Sequence, residues 1–258
     1  MTFNRHSFLV AMHEVVRPRT YLEIGVDDGL SLTLSRVPSV AIDPAFSITK
    51  EIQTDVHLVR STSDEFFARP DPLARLPRPV IDLAFIDGMH LAEFALRDFM
   101  NVERYTTPGS VIVLDDMLPH ESHRADRHRH TISWMGDVYK VILALRKHRP
   151  DLITLQVNTG GSGLGLILLP DASETELHDR YDDLVAEIVT PDPQVVPEDV
   201  LHRRDAVSPD EIVNSPIWDQ LRHLRDRHRP TPVRAFRDLY ATAPWTTRQP
   251  APHHDMTT

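Results

Sequence analysis

Two apolar runs that each end in acidic residues constrain the fold of this chain more than any other feature. Residues 83–86 form an apolar run without alternation, and Asp87 follows it directly. Residues 111–114 form a second run of this kind, which ends in Asp115 and Asp116. Continuous apolar runs of this length are typical of parallel strands that are covered on both faces. The sequence therefore predicts two buried strands whose carboxyl ends carry acids.

The segment between the two runs suits one strand-helix-strand unit. Asp87 and Asp115 lie 28 positions apart, about the length that such a unit needs. If the strands are neighbours at a spacing of roughly 4.8 Å, their terminal carboxylates reach a common point. Carboxylates at one point repel each other unless a cation lies between them, which indicates a divalent metal with oxygen ligands. Acids also end strands and cap turns without binding anything, and the spacing alone leaves both interpretations open.

A glycine turn follows the first predicted strand. In TYLEIGVDDGLSL, residues 21–24 form the strand, residues 25–29 the turn, and the residues after it a helix. The G-x-x-x-G spacing and the acids Asp27 and Asp28 do not suit the pyrophosphate of a dinucleotide. Together with Glu23 they suit a cationic ligand, although a turn of this kind also occurs for packing alone. S-adenosylmethionine carries a sulfonium and an ammonium group and has no phosphate.

Two further positions are predicted to contact this cofactor. Asp43 ends the second strand, 18 positions after Gly25, where the doubly wound pattern expects an acid that accepts both ribose hydroxyls. An acid before a proline also begins turns. After the third strand, Ser63 or Asp64 could meet an adenine edge, although the same residues suit helix capping. The predicted cofactor site comprises Glu23, Gly25, Asp27, Gly29, Ser31, Asp43, Ser63 and Asp87.

The order of these patterns indicates one α/β domain with an appended segment. The chain has 258 residues and 41% hydrophobic content, enough for one large core. Strand and helix patterns alternate, which predicts a doubly wound, Rossmann-like sheet of seven strands, mostly parallel, closed by a hairpin of LITLQV and LGLILL. We expect a cofactor-binding core at 1–170 and a helical C-terminal extension at 171–258, with a tail that is disordered or held by a neighbouring subunit. The helices predicted outside the central unit lie at 7–17, 131–148, 174–189 and 208–227.

The polar stretch MLPHESHRADRHRHT after the second acidic run contains four histidines. Zinc binding is one interpretation, but no pair of ligands here lies at helix spacing beside a partner pair. A mobile loop over the carboxyl ends of the strands is favoured instead, because ligands of open α/β sheets bind there. Trp134 and Tyr139, which follow, could line a pocket or simply pack.

Charge and residue usage exclude several classes of protein. A net charge of -10 is unfavourable for nucleic-acid binding. The absence of cysteine excludes disulfides, thiolate metal sites and cysteine nucleophiles. No apolar run approaches the roughly 18 residues of a membrane span, and MTFNRHSFLV lacks the apolar core of a signal peptide. We therefore expect a cytoplasmic homo-oligomer whose partner is a small molecule and not a membrane or a nucleic acid.

Residues 21–169 resemble the class I S-adenosylmethionine-dependent methyltransferases, through the motifs YLEIGVDDGLS, AIDP, FIDGMHLAEFALRD, VIVLDDM and WMGDVYK. Within this class they resemble the macrocin O-methyltransferase-like family of metal-dependent sugar O-methyltransferases. The resemblance implies that Asp87, Asp115 and Asp116 bind a magnesium-like ion and that His90 is the general base. Related catechol methyltransferases tend to carry Asn at the position of Asp116, so the pair of acids favours a sugar acceptor. Many relatives have an acid at the position of Met89, which leaves His90 as the candidate base here.

The function that we expect is metal-dependent methylation of a hydroxyl on a sugar or a glycosylated natural product. A metal that holds two neighbouring oxygens lowers the pKa of the hydroxyl, while His90 accepts its proton. Three rival interpretations remain: a catechol or phenolic methyltransferase, a protein with this fold and another chemistry, and a non-catalytic protein that keeps the nucleotide pocket.

Overall fold

The strands of this chain form one mixed sheet. The computed structural model describes residues 3–227 and 229–246. The strands are β1 (Tyr21–Ile24), β2 (Ser39–Ile42), β3 (Val56–Val59), β4 (Leu83–Ile86), β5 (Val111–Asp115), β6 (Ile153–Val157) and β7 (Leu164–Leu168). Within the described residues these seven strands lie in the order β3-β2-β1-β4-β5-β7-β6. β7 runs antiparallel to both β5 and β6, and the other neighbouring pairs in this sheet are parallel, which confirms the predicted doubly wound sheet with its closing hairpin.

Different helices cover the two faces of this sheet. They are α1 (Arg5–Val16), α2 (Ser63–Phe67), α3 (Ala92–Glu103), α4 (Tyr139–His148), α5 (Glu176–Asp179), α6 (Tyr181–Ile188), α7 (Glu198–Leu201), α8 (Pro209–Val213), α9 (Ile217–Arg225) and α10 (Val233–Tyr240). On one face, Phe99 of α3 packs in a core with Ile86. On the other, Phe8 of α1 and Trp218 of α9 pack with Phe85. Because neighbouring residues of a strand point to opposite faces, β4 is buried on both sides, as its continuous apolar run predicts.

The prediction of a helix after the glycine turn is wrong. A single 3-10 turn, Leu32–Leu34, occupies this place. The hydroxyl of Thr33 donates to the Leu30 carbonyl at 2.8 Å, and that of Ser35 donates to the Val37 carbonyl at 3.2 Å. Such bonds from side chains to nearby backbone compete with helix formation. The connection to β2 therefore stays short and irregular.

Three other predicted helices are shorter or divided in the structure. The helix predicted at 131–148 begins only at Tyr139, because Gly136 before it has a φ of +63°, which no right-handed helix contains. The helix predicted at 174–189 is divided into α5 and α6, and the one at 208–227 into α8 and α9. A proline directly before α9 lacks the N–H that a continuous helix would need.

The C-terminal segment attaches to the start of the chain. Arg225 of α9 donates from Nη1 to the Val16 carbonyl at 3.0 Å and from Nη2 to the Arg17 carbonyl at 2.9 Å. These bonds satisfy carbonyls at the end of α1 that have no partner within the helix. The predicted disordered tail falls largely on residues 247–258, which lie outside the described residues. No helix in the described part of the chain is both long and apolar enough to cross a membrane.

Candidate active site

The candidate site lies at the carboxyl ends of β1 and β4, where the strand order reverses. From β1 the sheet continues through β2 on one side, and from β4 it continues through β5 on the other. Doubly wound sheets bind their ligands in the crevice at this point. Gly25 follows β1, and Asp87, which follows β4, donates its backbone N–H to the Ile24 carbonyl at 2.8 Å. The glycine turn and the first acid therefore lie side by side.

Gly25 is required by the close approach of the neighbouring strand. Its φ is +86°, and a Cβ at this position would lie 1.8 Å from the carbonyl oxygen of Asp87. No side chain fits there. Gly29 also has a φ of +86°, so both glycines of the predicted turn are needed for backbone conformation. Asp27 is exposed on the turn, and Ser31 is buried just after it.

Glu23 lies fully buried beneath the turn. It accepts a hydrogen bond from the hydroxyl of Tyr21 at 2.6 Å, while its Oε1 has no hydrogen-bond partner among the described residues. Burial raises the pKa of Glu23 to about 8, helped by the negative charge of Asp87 and opposed by the Tyr21 hydrogen bond. A cation bound beside Glu23 would favour the ionised carboxylate and lower this pKa.

Asp43 binds the protein's own backbone. Its Oδ2 accepts the N–H groups of Val26 and Asp27 at 2.8 and 3.0 Å, and its Oδ1 accepts that of Ala45 at 2.6 Å. The carboxylate thus fixes the glycine turn from the end of β2. Each oxygen keeps further lone pairs, so the predicted bonds to ribose hydroxyls would be added to these contacts.

Ser63 begins α2 and contacts Asp98, a buried acid that no motif in the sequence indicates. Its hydroxyl donates to Asp98 of α3. The capping chemistry of this segment belongs to neighbouring residues, because Thr62 and Glu65 exchange side-chain to backbone bonds at 3.1 and 3.2 Å. Burial raises the pKa of Asp98 to about 7, against the lowering effect of the Ser63 bond. The hydroxyl that was predicted to meet adenine is thus already bonded within the protein.

Two of the three predicted metal ligands, Asp87 and Asp116, lie in a cluster with His90, whereas Asp115 contacts Arg5. Asp87 and Asp116 each offer a carboxylate oxygen to a cluster with His90, in which the three ligand atoms lie within 4.8 Å of one another. Asp115 lies outside this cluster. Its Oδ2 contacts Arg5 Nη1, and its Oδ1 accepts the Asp116 N–H at 2.9 Å. Burial and the neighbouring Asp87 raise the pKa of Asp115 above its ordinary value, and the Arg5 charge offsets part of that rise.

Arg5 is a site residue that no pattern in the sequence predicts. It is the first residue of α1, and its Nη1 bridges Asp115 and Asp87, lying 2.8 Å from Asp87 Oδ2. Asp87 lies 82 positions after Arg5 in the sequence. No local pattern around a single arginine at the start of a helix indicates a contact with so distant an acid. Its guanidinium stays charged at any working pH.

His90 lies between two carboxylates. Its Nδ1 is 2.9 Å from Asp116 Oδ2, and its Nε2 is 3.5 Å from Asp87 Oδ1. The Nδ1 atom is nevertheless buried without a hydrogen bond of acceptable direction in the described structure. Burial alone would lower the pKa of His90, but the two carboxylates raise it to about 10. The ring also stacks on Trp134, with centroids 5.2 Å apart and planes at 11°.

The loop between β5 and α4 holds His90 in place. A Cβ on Gly136 would lie 1.6 Å from the His90 carbonyl oxygen, so the loop backbone touches that of His90. Asp137 accepts the Ala92 N–H at 2.9 Å, which caps the N-terminus of α3. Trp134 donates from Nε1 to the Asp126 carbonyl at 2.6 Å. The loop predicted to lie near the carboxyl ends of the strands is therefore docked beside the acids.

The histidine-rich part of this loop forms no zinc cluster. In the described chain, the group of possible metal ligands with three or more members is Asp87, His90 and Asp116. The cavity between these residues measures about 10 Å³ and is also lined by Asp115 and Val138. That is room for about one water-sized particle. Tyr139, which was considered as a pocket residue, is buried in a small core.

Solved structures of methyltransferases are similar in fold to this chain. An O-methyltransferase from Bacillus cereus in complex with SAH is 18% identical, covers 63% of this chain and 79% of its own, and has a TM-score of 0.44. The O-methyltransferase TomG from Streptomyces achromogenes, in complex with SAM, is 21% identical, covers 62% and 77%, and has a TM-score of 0.46. The SAH-bound methyltransferase PaMTH1 from Podospora anserina is 12% identical, covers 65% and 78%, and has a TM-score of 0.44.

A match to a protein family covers the part of the chain that contains the candidate site. No curated protein is similar enough to the chain to be matched. Residues 22–117, which run from β1 to just beyond β5, match a family model that is described as a methyltransferase domain. The matched segment includes Glu23, the glycine turn and all three acids.

Proposed function

We propose that this protein is an S-adenosylmethionine-dependent O-methyltransferase that uses a divalent cation to position a hydroxyl of a sugar or a glycosylated natural product. The observation that carries the proposal is the contact between the glycine turn and the acid cluster, where Gly25 leaves no room for a side chain beside the Asp87 carbonyl. A cofactor bound on the turn and an acceptor bound at the acids would therefore lie on either side of the contact between Gly25 and Asp87. Group transfer needs the two reactants at such close range.

The residues around the glycine turn fit a cationic cofactor. The buried Oε1 of Glu23 has no hydrogen-bond partner in the described structure, and Asp27 is exposed on the turn itself. The charge of Asp27 attracts a sulfonium or an ammonium group and repels a phosphate, and a cation bound beside Glu23 would favour the ionised form of that buried group. This charge pattern supports S-adenosylmethionine over a dinucleotide.

The acid cluster fits a divalent cation. Asp87 and Asp116 supply carboxylate oxygens, and His90 supplies a buried ring nitrogen that lacks a well-directed hydrogen bond. Oxygen and imidazole donors are common ligands of divalent ions. When bound, such an ion would supply Lewis acidity that lowers the pKa of an acceptor hydroxyl.

In the proposed reaction, the acceptor oxygen forms a bond to the methyl carbon while the bond from carbon to sulfur breaks. The electron pair of that bond stays on sulfur, and the hydroxyl proton leaves to a base. The sequence predicts His90 as this base. In the structure both ring nitrogens face carboxylates, which raise the pKa of His90 to about 10. A divalent cation bound at the cluster would lower this pKa and favour the neutral imidazole, which is the form that can accept the proton.

Calorimetry with S-adenosylmethionine and its demethylated product tests the methyltransferase proposal directly. We expect both to bind, because the charge pattern of the turn is already in place. Binding of neither would exclude every methyltransferase interpretation. An acceptor screen of nucleotide sugars, glycosylated natural products and catechols, scored by product mass, then identifies the acceptor class. Methylation of catechols alone would replace the sugar proposal with its phenolic alternative.

Removal of divalent ions tests the role of the cation. Chelation should abolish turnover and leave the affinity for S-adenosylmethionine nearly unchanged, because the ion is proposed to contact the acceptor and not the sulfonium. Full turnover after exhaustive dialysis against chelator would reduce Asp87, Asp115 and Asp116 to structural roles.

A further inference from the structure

A buried acid on α3 forms no ion pair within the described residues. Asp98 is 3% exposed, and its Oδ1 accepts the hydroxyl hydrogen of Ser63. The neighbouring Arg97 is bonded to Asp64 instead, from Nε at 2.7 Å and from Nη2 at 2.6 Å. Buried carboxylates are usually paired with a cation or a metal ion. The proposed reaction also has no step for Asp98, so the bond to Ser63 is the observation that can explain its presence.

Asp98 lies close to the end of β4 and to the glycine turn. A Cβ on Gly88 would lie 3.0 Å from Asp98 Oδ2 and 3.0 Å from Ile24 Cγ2. A Cβ on Gly25 would in turn lie 3.0 Å from the Gly88 nitrogen. The hydrogen bond from Ser63 joins the start of α2 to the same place. Asp98 is therefore the buried link between the start of α2 and the part of the site that follows β4.

Ser63 lies between this buried acid and the surface. The serine is half-buried, whereas Asp98 is almost inaccessible. An ionised carboxylate only accepts hydrogen bonds, so the single hydrogen of the serine hydroxyl is directed inward to Asp98. Toward a ligand, the Ser63 oxygen then offers lone pairs and no hydrogen. Asp98 thereby determines that Ser63 acts as an acceptor and not as a donor at the surface.

The strand order indicates which part of the cofactor Ser63 would meet. In the order β3-β2-β1, the start of α2, Asp43 and the glycine turn follow one another along the carboxyl edge of the sheet. Adenine, ribose and the methionine part follow one another in the same way in S-adenosylmethionine. With the ribose at Asp43 and the sulfonium near the glycine turn, the base extends toward α2.

We propose that Ser63 accepts a hydrogen bond from the N6 amino group of adenine and that Asp98, as a positioning residue, makes this contact selective for an amino group over a carbonyl oxygen. This inference rests on the proposed function and defines how its cofactor is recognised. Hypoxanthine carries a carbonyl oxygen in place of the amino group. Opposite Ser63 that oxygen would face a second acceptor, and neither would gain a hydrogen bond. The site therefore discriminates against a deaminated cofactor.

The selectivity can be measured on the unaltered protein with two ligands. Calorimetry at about pH 8.5, where Asp98 with its pKa of about 7 is ionised, compares the demethylated product of S-adenosylmethionine with its hypoxanthine analogue. We expect the adenine ligand to bind at least about tenfold more tightly. Equal affinities would overturn this inference and leave the methyltransferase proposal intact. Binding of neither ligand would overturn the methyltransferase proposal itself.

Substitution of Ser63 tests whether the serine makes this contact. Ser63→Ala removes the acceptor, so it should weaken binding of the adenine ligand by about tenfold and leave the hypoxanthine analogue nearly unaffected. The ratio of the two affinities is then largely lost. An equal loss for both ligands would show that Ser63 only maintains the local structure, and the inference would fail.

Two variants test the role of Asp98 as the positioning residue. The amide of Asp98→Asn can donate to Ser63, and Asp98→Leu removes the acceptor with an apolar side chain of similar size. In both, the serine hydroxyl becomes free to donate outward. The hypoxanthine analogue should then bind more tightly than it binds the unaltered protein, and the ratio should fall below about threefold. A gain of affinity for one ligand cannot result from misfolding.

Asp55→Asn is the matched control for these variants. Asp55 is exposed at the amino end of β3, away from the carboxyl edge, so its substitution should leave the affinity ratio of the unaltered protein in place. If folded Asp98→Asn and Asp98→Leu also keep that ratio, Asp98 does not orient the serine and the inference fails.

Discussion

Asp43 holds the glycine turn in place and is also the acid that we propose to bind the ribose of the cofactor. Its carboxylate accepts three backbone N–H groups, two from the glycine turn at Val26 and Asp27 and one from Ala45. The turn has glycines in a left-handed conformation and no helix after it to hold it in place. The position of Asp43 at the end of β2 could be predicted from spacing, but its use by the backbone could not.

Substitution of Asp43 should therefore affect both stability and cofactor binding. Asp43→Ala removes charge-assisted bonds to the turn and to a ribose, so we expect the affinity for S-adenosylmethionine to fall by about 1.5–3 kcal/mol. The free energy of unfolding should fall as well. Asp43→Asn keeps one acceptor oxygen, so its cofactor affinity and its free energy of unfolding should lie between those of the parent protein and those of Asp43→Ala. Calorimetry and denaturant unfolding measure the two effects, and an unchanged dissociation constant in folded Asp43→Ala would remove Asp43 from the site.

Glu23 should make the stability of the protein depend on pH. Burial raises its pKa to about 8 in the folded protein, from an ordinary value of 4.5. Between these two pH values the folded state binds more protons than the unfolded state, so the free energy of unfolding contributed by this group falls as pH rises. Glu23→Gln cannot ionise and keeps an acceptor for the Tyr21 hydroxyl. We expect it to flatten the fall in stability between pH 5 and about pH 8.

Denaturant unfolding of the cofactor-free protein at a series of pH values measures this effect. Glu14→Gln is a suitable control, because Glu14 is exposed on α1 and its substitution should leave the pH dependence of the parent protein intact. A Glu23→Gln variant with the same slope as the parent would show that Glu23 is already ionised in the folded protein.

At the scale of elements, the loop between β5 and α4 is the part that most directly controls His90. It touches the histidine ring through Trp134 and the histidine backbone through Gly136. Arg127 strengthens the attachment, since its Nη1 donates to Glu93 and to Asp137 at 2.9 Å each. The loop therefore fixes the orientation of His90 relative to the acids on the strands.

Loss of the Trp134 indole should weaken cation binding and turnover without changing the affinity for the cofactor. Trp134→Leu removes the stacking on His90, an interaction of about 0.5–1.5 kcal/mol beyond the buried area. We expect lower cation affinity and lower turnover, with the affinity for S-adenosylmethionine unchanged. Trp134→Phe keeps a ring but loses the bond to the Asp126 carbonyl, so its effect should be smaller. Equal effects of the two variants would assign the role of Trp134 to that hydrogen bond.

The sequence predicts some residues of this site and not others, and the difference has a physical cause. Asp87 and Asp116 could be placed because strand ends follow from apolar runs, and the carboxyl ends of parallel strands lie along one edge of a sheet. Arg5 and Trp134 reach the site from distant segments, and their contacts depend on how helices and loops pack. The helix expected after the glycine turn failed for another reason, since local side-chain bonds of Thr33 and Ser35 override the pattern.

At the scale of the whole molecule, the C-terminal helices and α1 share one core. Trp245 is fully buried in the core that α1 and α9 form on one face of the sheet, together with Phe8 and Trp218. Trp245→Ala should lower the free energy of unfolding by about 3–5 kcal/mol, because a large side chain is lost from a packed core. Val195→Ala, at a position that is 88% exposed, should have little effect.

Denaturant unfolding followed by two probes, fluorescence and circular dichroism, measures this change. If the extension at 171–258 is a part of one cooperative unit with the core, both probes should report a single transition that shifts in Trp245→Ala. An early separate transition in the variant, with the rest unchanged, would show instead that the extension unfolds by itself as an independent domain.

The shared core of α1 and the C-terminal helices has a consequence for how the protein is made. The ribosome produces Phe8 and its apolar neighbours on α1 more than 200 residues before Trp218 and Trp245, which complete the same core. At typical rates of synthesis this delay is roughly 10 to 40 s. During that time one face of the nascent sheet is only partly covered, so we expect a chaperone that shields this face to increase the yield of folded protein.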